Sequence, residues 1–200
     1  HGRHLETADV TLDQGGIVRS LVRNGGWGIA TFNDLGNLAH RVDQAYQSAR
    51  VVQGEPVKLA ETQPVQDEVR VALATDFRQI PLEQKKEIAE RYNDILLSGD
   101  RIIDTQAIYS DTFSTVIYAN SEGAYIVEER PMAGVHLLAT ARDGNNVQRA
   151  ADGLSLPTGY EEIQDLDALA REVAQRATDL LSAETVVGGV YPVICNPKLA

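Results

Sequence analysis

Four histidines, one cysteine and a scatter of carboxylates are the residues whose types could do chemistry here. His1-Gly2-Arg3-His4 sets two imidazoles three residues apart. Zinc needs three or four ligands in tetrahedral geometry, and no third stands nearby in sequence, so this stretch reads as a chain terminus. His40 falls in a helical pattern and His136 in a strand pattern, each without a second ligand at metal spacing. Both read as ordinary surface or core histidines. Asp104 and Asp111 flank Tyr109-Ser110 and could form a carboxylate pair. General acid–base work needs a cleft and separated pKa values, which spacing does not supply, so turn-forming aspartates are the expectation. Asn24-Gly25-Gly26-Trp27-Gly28 has the glycines of a phosphate loop but lacks the lysine and the following helix. Cys195 lies in an apolar run with no histidine motif beside it and reads as a buried packing residue. As the lone cysteine it forms no internal disulfide, which fits a reducing compartment. The residues taken alone give neither a catalytic nor a metal-binding centre.

The elements that would position these residues follow from turn signals and periodicity. Gln14-Gly15-Gly16 and Asn24-Gly25 separate Val10-Thr11-Leu12, residues 17–22 and residues 27–32, which predicts three short antiparallel strands. Asp34 is placed to cap a helix on which Leu35, Leu38, Ala39, Val42, Ala45, Tyr46 and Ala49 form one buried stripe. Pro56 and Pro64 lie in a polar linker with one short strand over residues 69–73. Pro81 opens a second helix that runs to Ser98, with Gly99 as its stop. Residues 112–119 are β-branched and aromatic, and Asn120-Ser121-Glu122-Gly123 turns them into a returning strand over 124–129. Further strand content spans 134–142, and Asp143-Gly144-Asn145 turns again. Such short connections join antiparallel neighbours. A last helix spans 167–182, and residues 186–195 read as a strand entering something further.

These elements predict an α+β fold: two small domains with antiparallel sheets packed against helices, plus the first strand of a C-terminal domain that is missing. The expected divisions are a hairpin/helix domain at 1–54, a linker at 55–80, a central domain at 81–185, and the start of another domain at 186–200. The chain opens on His1 and its single methionine is Met132, so we expect an internal piece of a longer protein, the alternative being a complete protein with trimmed ends.

At 200 residues, 43% hydrophobic and 24% charged, the composition is that of a globular protein. No apolar run approaches the roughly 20 residues of a membrane helix, and the start shows no signal-peptide pattern. The net charge is −11 and lysine occupies only four positions, which disfavours direct nucleic-acid binding because phosphate contacts need a basic face.

Several stretches, in order along the chain, resemble the TldD/PmbA family, metallopeptidases also labelled modulators of DNA gyrase. They are Gly16-Ile17-Val18-Arg19, Asn24-Gly25-Gly26-Trp27-Gly28-Ile29-Ala30, Tyr109-Ser110-Asp111, Tyr118-Ala119-Asn120-Ser121-Glu122-Gly123, Ala141-Arg142-Asp143-Gly144, Gly159-Tyr160-Glu161, Leu180-Leu181-Ser182-Ala183 and Gly188-Gly189-Val190-Tyr191-Pro192-Val193-Ile194. The resemblance implies a zinc site on an H-E-x-x-x-H helix with a later cysteine. None of those positions falls within this sequence, and Cys195 does not match the ligand. It therefore implies a peptidase for the parent protein and a non-catalytic, metal-free N-terminal part for this chain, with zinc expected for the full-length protein. The alternative is a non-catalytic partner or scaffold subunit of a TldD/PmbA-type complex. The resemblance further implies a homodimer or a heterodimer with a paralogue, a cytoplasmic setting, and no membrane. Peptide substrates are the expected partners, presented in extended form by strand addition to a sheet. Asn120, Ser121, Glu122 and Gly123 are the candidate peptide-binding residues.

Overall fold

The structure, a computed structural model, describes residues 4–52 and 54–195. Two compact units divide the chain: Asp9–Val65 with Ser121–Ala124, and Gln66–Asn120 with the residues from Tyr125 onward, joined by the N-terminal few.

The smaller unit is one hairpin and one helix. Strand β1 (Gly16–Leu21) pairs antiparallel with β2 (Trp27–Phe32), from Gly16 opposite Phe32 to Leu21 opposite Trp27. Gly25 turns the hairpin at φ 81°, a conformation that disfavours any side chain. Asp34 accepts a hydrogen bond from the Gly36 amide and caps a short 3-10 turn, from which α1 (Leu38–Val51) continues. Only Ala45 and Ala49 of α1 are buried. They sit against β2 because Gly28 has no side chain: a Cβ there would lie 1.9 Å from the Ala45 carbonyl oxygen.

The smaller unit departs from two expectations. Backbone meets backbone at Gly28, Ala45 and Ala49, so the large residues of the expected stripe, Leu35, Leu38, Val42 and Tyr46, point aside and stay exposed. Val10 and Leu12 form no third strand and are 83% and 100% exposed, since no sheet edge accepts their backbone.

The larger unit holds β3 (Gln66–Val69), α2 (Leu82–Leu97), β4 (Ile102–Ala119), β5 (Tyr125–Asp143), β6 (Asn146–Leu156) and α3 (Asp167–Asp179). Strand β5 lies at the centre of the sheet: β4 pairs with it along one side, while β3 and β6 share the other. All pairs are antiparallel except β3 with β5, which is parallel. The short strand expected at 69–73 thus lies earlier, at Gln66–Val69.

The returning strand does not break between 129 and 134, although Pro131 lies there. β3 pairs with β5 only as far as Glu128, and pairing with β6 begins at Ala133, opposite Leu156. Pro131, which has no N–H to give, therefore sits where β5 has a strand neighbour on one side only.

Alternate β5 residues Ala133, Val135, Leu137, Ala139 and Ala141 are buried and meet Ile88, Tyr92 and Leu96 of α2 and Ala170, Val173 and Ala177 of α3. Tyr92 is fully buried, and its hydroxyl both donates to the Ile163 carbonyl and accepts from the Leu166 amide, so burial leaves no polar group stranded. Mixed helices and antiparallel sheets give the expected α+β class. Residues 186–195, expected to form a strand, adopt no regular structure: a strand needs an edge to pair with, and none in the described chain pairs with them. No described helix is long and apolar enough to cross a membrane.

The glycine contact is testable. Gly28→Ala is expected to destabilise the smaller unit by at least about 2 kcal/mol, because neither backbone can yield. Denaturant unfolding followed by Trp27, the sole tryptophan, reads this directly. Gly188→Ala, where a Cβ would meet nothing within 4 Å, should change stability by less than about 0.5 kcal/mol.

Candidate functional site

The residues with chemistry to offer are dispersed. His4 lies in the irregular N-terminal segment, and His1, Gly2 and Arg3 fall outside the described residues. His40 is exposed on α1, and His136 is exposed on the β5 face turned away from the helices. Among the described residues no three His, Cys, Asp or Glu side chains gather where a metal ion could be held. The described donor set therefore does not fit zinc. Cys195 is exposed, not buried as expected, because the apolar run that carries it packs into no core.

Asp104 and Asp111 are not turn residues: both lie inside β4. Seven residues apart in a regular strand, they point to opposite faces and are about 23 Å from each other, which also rules out a carboxylate pair. Asp111 instead faces α2, where Lys85 Nζ reaches it at 2.5 Å and the Tyr109 hydroxyl donates to the same Oδ2 atom at 2.5 Å. Lys85 also lies 5.7 Å from the Tyr109 ring centre and 5.9 Å from that of Phe77. Arg78 stacks at 3.6 Å over Phe113, and its hydrogen bonds hold the Asp76 carboxyl below the usual carboxylate range. Burial, then the hydrogen bond to Asp111, pushes the Tyr109 hydroxyl well above its ordinary range. Tyr109 is thus a fixed donor, and the Lys85–Asp111 pair clamps β4 to α2. Sequence reading missed this cluster, although Tyr109, Asp111 and Phe113 recur at the two-residue spacing of one strand face.

What the clamp holds in place is an edge. β4 pairs only with β5, so along its 18 residues the other side has no strand neighbour among the described residues. It contains no lysine, proline or glycine, and residues 112–119 carry no charge. Charged side chains, proline and bulges ordinarily shield an edge; β4 has Asp104, Asp111 and a register shift between Ile102 and Asp104, and none of these past Asp111. Asn120, Ser121, Glu122 and Gly123 form the turn after it, closed by Gly123 at φ 99°; Asn120 belongs to the larger unit and the other three to the smaller.

Tyr109 gives a pH signature. Its folded-state pKa lies above the ordinary value of 10.0, so its contribution to stability is complete below that pH and is lost as pH rises beyond it. Unfolding free energy should fall above pH 10.0, and Tyr109→Phe should make the fall shallower. Urea titrations across that range, with tyrosine ionisation followed by absorbance, measure both.

The comparisons with known proteins agree with this architecture. Residues 75–181 match the family model described as the PmbA/TldA metallopeptidase central domain, and residues 2–49 match its domain 1. A metalloprotease, slr0863, from Synechocystis is 36% identical over 197 residues, covering 98% of this chain and 42% of that protein. A metalloprotease from Methanothermobacter thermautotrophicus is 25% identical, covering 90% of this chain and 39% of its own length. The chain thus spans about two fifths of these relatives. In fold, it superposes on a Thermotoga maritima protein named as a candidate modulator of a DNA gyrase, with a TM-score of 0.69, 17% identity, and 88% of this chain and 39% of that chain covered. TldE from Thermococcus kodakarensis gives 0.62 at 14% identity, with 81% and 37% covered. On the match over its central and first domains, the chain belongs to the PmbA/TldD metallopeptidase family.

Proposed function

We propose that this chain is the peptide-guiding part of a zinc-dependent metallopeptidase, with β4 as the edge on which an unfolded substrate is laid out. The observation that carries the reading is the edge of β4, unshielded past Asp111 and held by β5 on one side and by the Lys85–Asp111 clamp beneath. A peptide added there as a further strand gains main-chain hydrogen bonds, which are indifferent to sequence, and is held extended, the form in which a scissile bond can be presented. Asn120, Ser121, Glu122 and Gly123 remain candidates for peptide contact in their own loop. The zinc ligands, in this proposal, belong to the part of the longer relatives that this chain does not match. Assembly as a homodimer or a heterodimer with a paralogue, and a cytoplasmic setting, belong to the same proposal.

Hydrogen exchange of the isotopically labelled chain with and without an unstructured peptide tests the reading. We expect saturable binding in the micromolar range with new protection concentrated in β4. Absence of saturation, or protection confined elsewhere, would sink it. Peptide hydrolysis by the 200-residue chain alone would overturn the division of labour.

A further inference from the structure

The two halves of the β4 edge differ in which side chains border it. Along the half nearer Ile102, the face toward α2 carries Thr105, Ala107, Tyr109 and Asp111, which are buried or half-buried, whereas the opposite face carries polar Asp104, Gln106 and Ser110 with a single exposed apolar residue, Ile108, among them. This is the alternation of a strand with one covered face. Ser114 and Thr115 are polar on both faces, and from Val116 to Ala119 the alternation is gone. Ile117 pairs with Val127 on one face and Tyr118 with Ile126 on the other, with Val116 and Tyr125 beside them. Ile117, Tyr118 and Tyr125 are 61%, 53% and 50% exposed. Apolar residues on both faces are the pattern of a strand meant to be covered on both.

Charge adds a second constraint. Gln66–Asn120 and Tyr125–Ala200 hold 12 basic against 21 acidic side chains, while residues 112–119 hold none of either sign. A charge-free edge set in an acidic unit favours a strand with an uncharged centre and cationic ends.

Resting on the strand-addition reading above, we infer that the distal half of the β4 edge selects peptides whose apolar residues are consecutive, uncharged and free of proline, flanked by basic residues. Along Val116–Ala119 each successive side chain of the incoming strand lands beside an apolar neighbour, first on one face and then on the other. A peptide with alternating apolar and polar residues matches only one face and leaves Ile117 or Tyr118 against a polar group. Proline in the centre removes a main-chain donor. Segments of this kind are buried in folded proteins, so the edge distinguishes an unfolded chain from a folded one by the chemistry of its side chains.

Fluorescence anisotropy with three labelled peptides against the whole chain tests this. The first has a consecutive β-branched and aromatic core with lysine ends. The second has the same composition with the apolar residues alternated with serine, and the third has the first core with glutamate ends. The first should bind about tenfold more tightly than either of the others, and its advantage over the third should shrink in high salt. A double substitution of exposed residues, Ile117→Ser with Tyr118→Ser, should erase the preference between the first two while the chain stays folded. Equal binding of all three peptides overturns this inference and leaves strand addition standing. Tighter binding of the alternating or glutamate-ended peptide also overturns it, and binding by none overturns both.

Discussion

Strand β5 is the constraint on which the larger unit depends. A backbone can be hydrogen-bonded on two sides only, and β5 gives one side to β4 from Tyr125 to Ala141 and divides the other between β3 and β6. Its alternate residues build the floor on which α2 and α3 pack. The edge on β4 exists because β5 has already taken the opposite side of that strand. A single register error in β5 would turn its apolar row away from the helices and move every neighbouring strand with it.

Much of this was legible in the sequence, and the reasons are local. Asn24-Gly25 demanded a hairpin, and the apolar spacing after Pro81 and across 167–182 demanded helices that the structure places at Leu82–Leu97 and Asp167–Asp179. What escaped depended on partners distant in the chain. Pro131 reads as a break unless one knows that pairing with β3 ends and pairing with β6 begins around it. The exposed stripe of α1 cannot be foreseen from helical spacing, because two alanines seated on Gly28 decide which face turns inward. Asp104 and Asp111 look like turn residues until the clamp from Lys85 supplies a reason for a carboxylate within a strand.

The candidate site was legible to a lesser degree. Residues 112–119 announce a strand, and composition shows that it lacks shielding residues, but whether such a strand is central or marginal is a property of topology. The sequence also pointed to the turn at Asn120 more readily than to the strand beside it, since glycine and asparagine punctuate and an edge does not. Family likeness followed the order of several loose patterns along the chain, and the two domain matches cover the same ground.

The parallel pairing of β3 has a consequence for how the sheet opens. β4, β5 and β6 follow one another through short turns, so their pairings form between near neighbours in sequence. Gln66 must wait for Tyr125, across the whole of α2 and β4. β3 is four residues long, every one of them exposed, and it closes the largest loop in the sheet. It is the strand that joins last and whose release costs least. When it leaves, the far end of the β4–β5 hairpin stands as a two-stranded ribbon with a second bare edge, while the packed end beneath the helices is undisturbed. The sheet thus carries its own graded opening, from the tip inward.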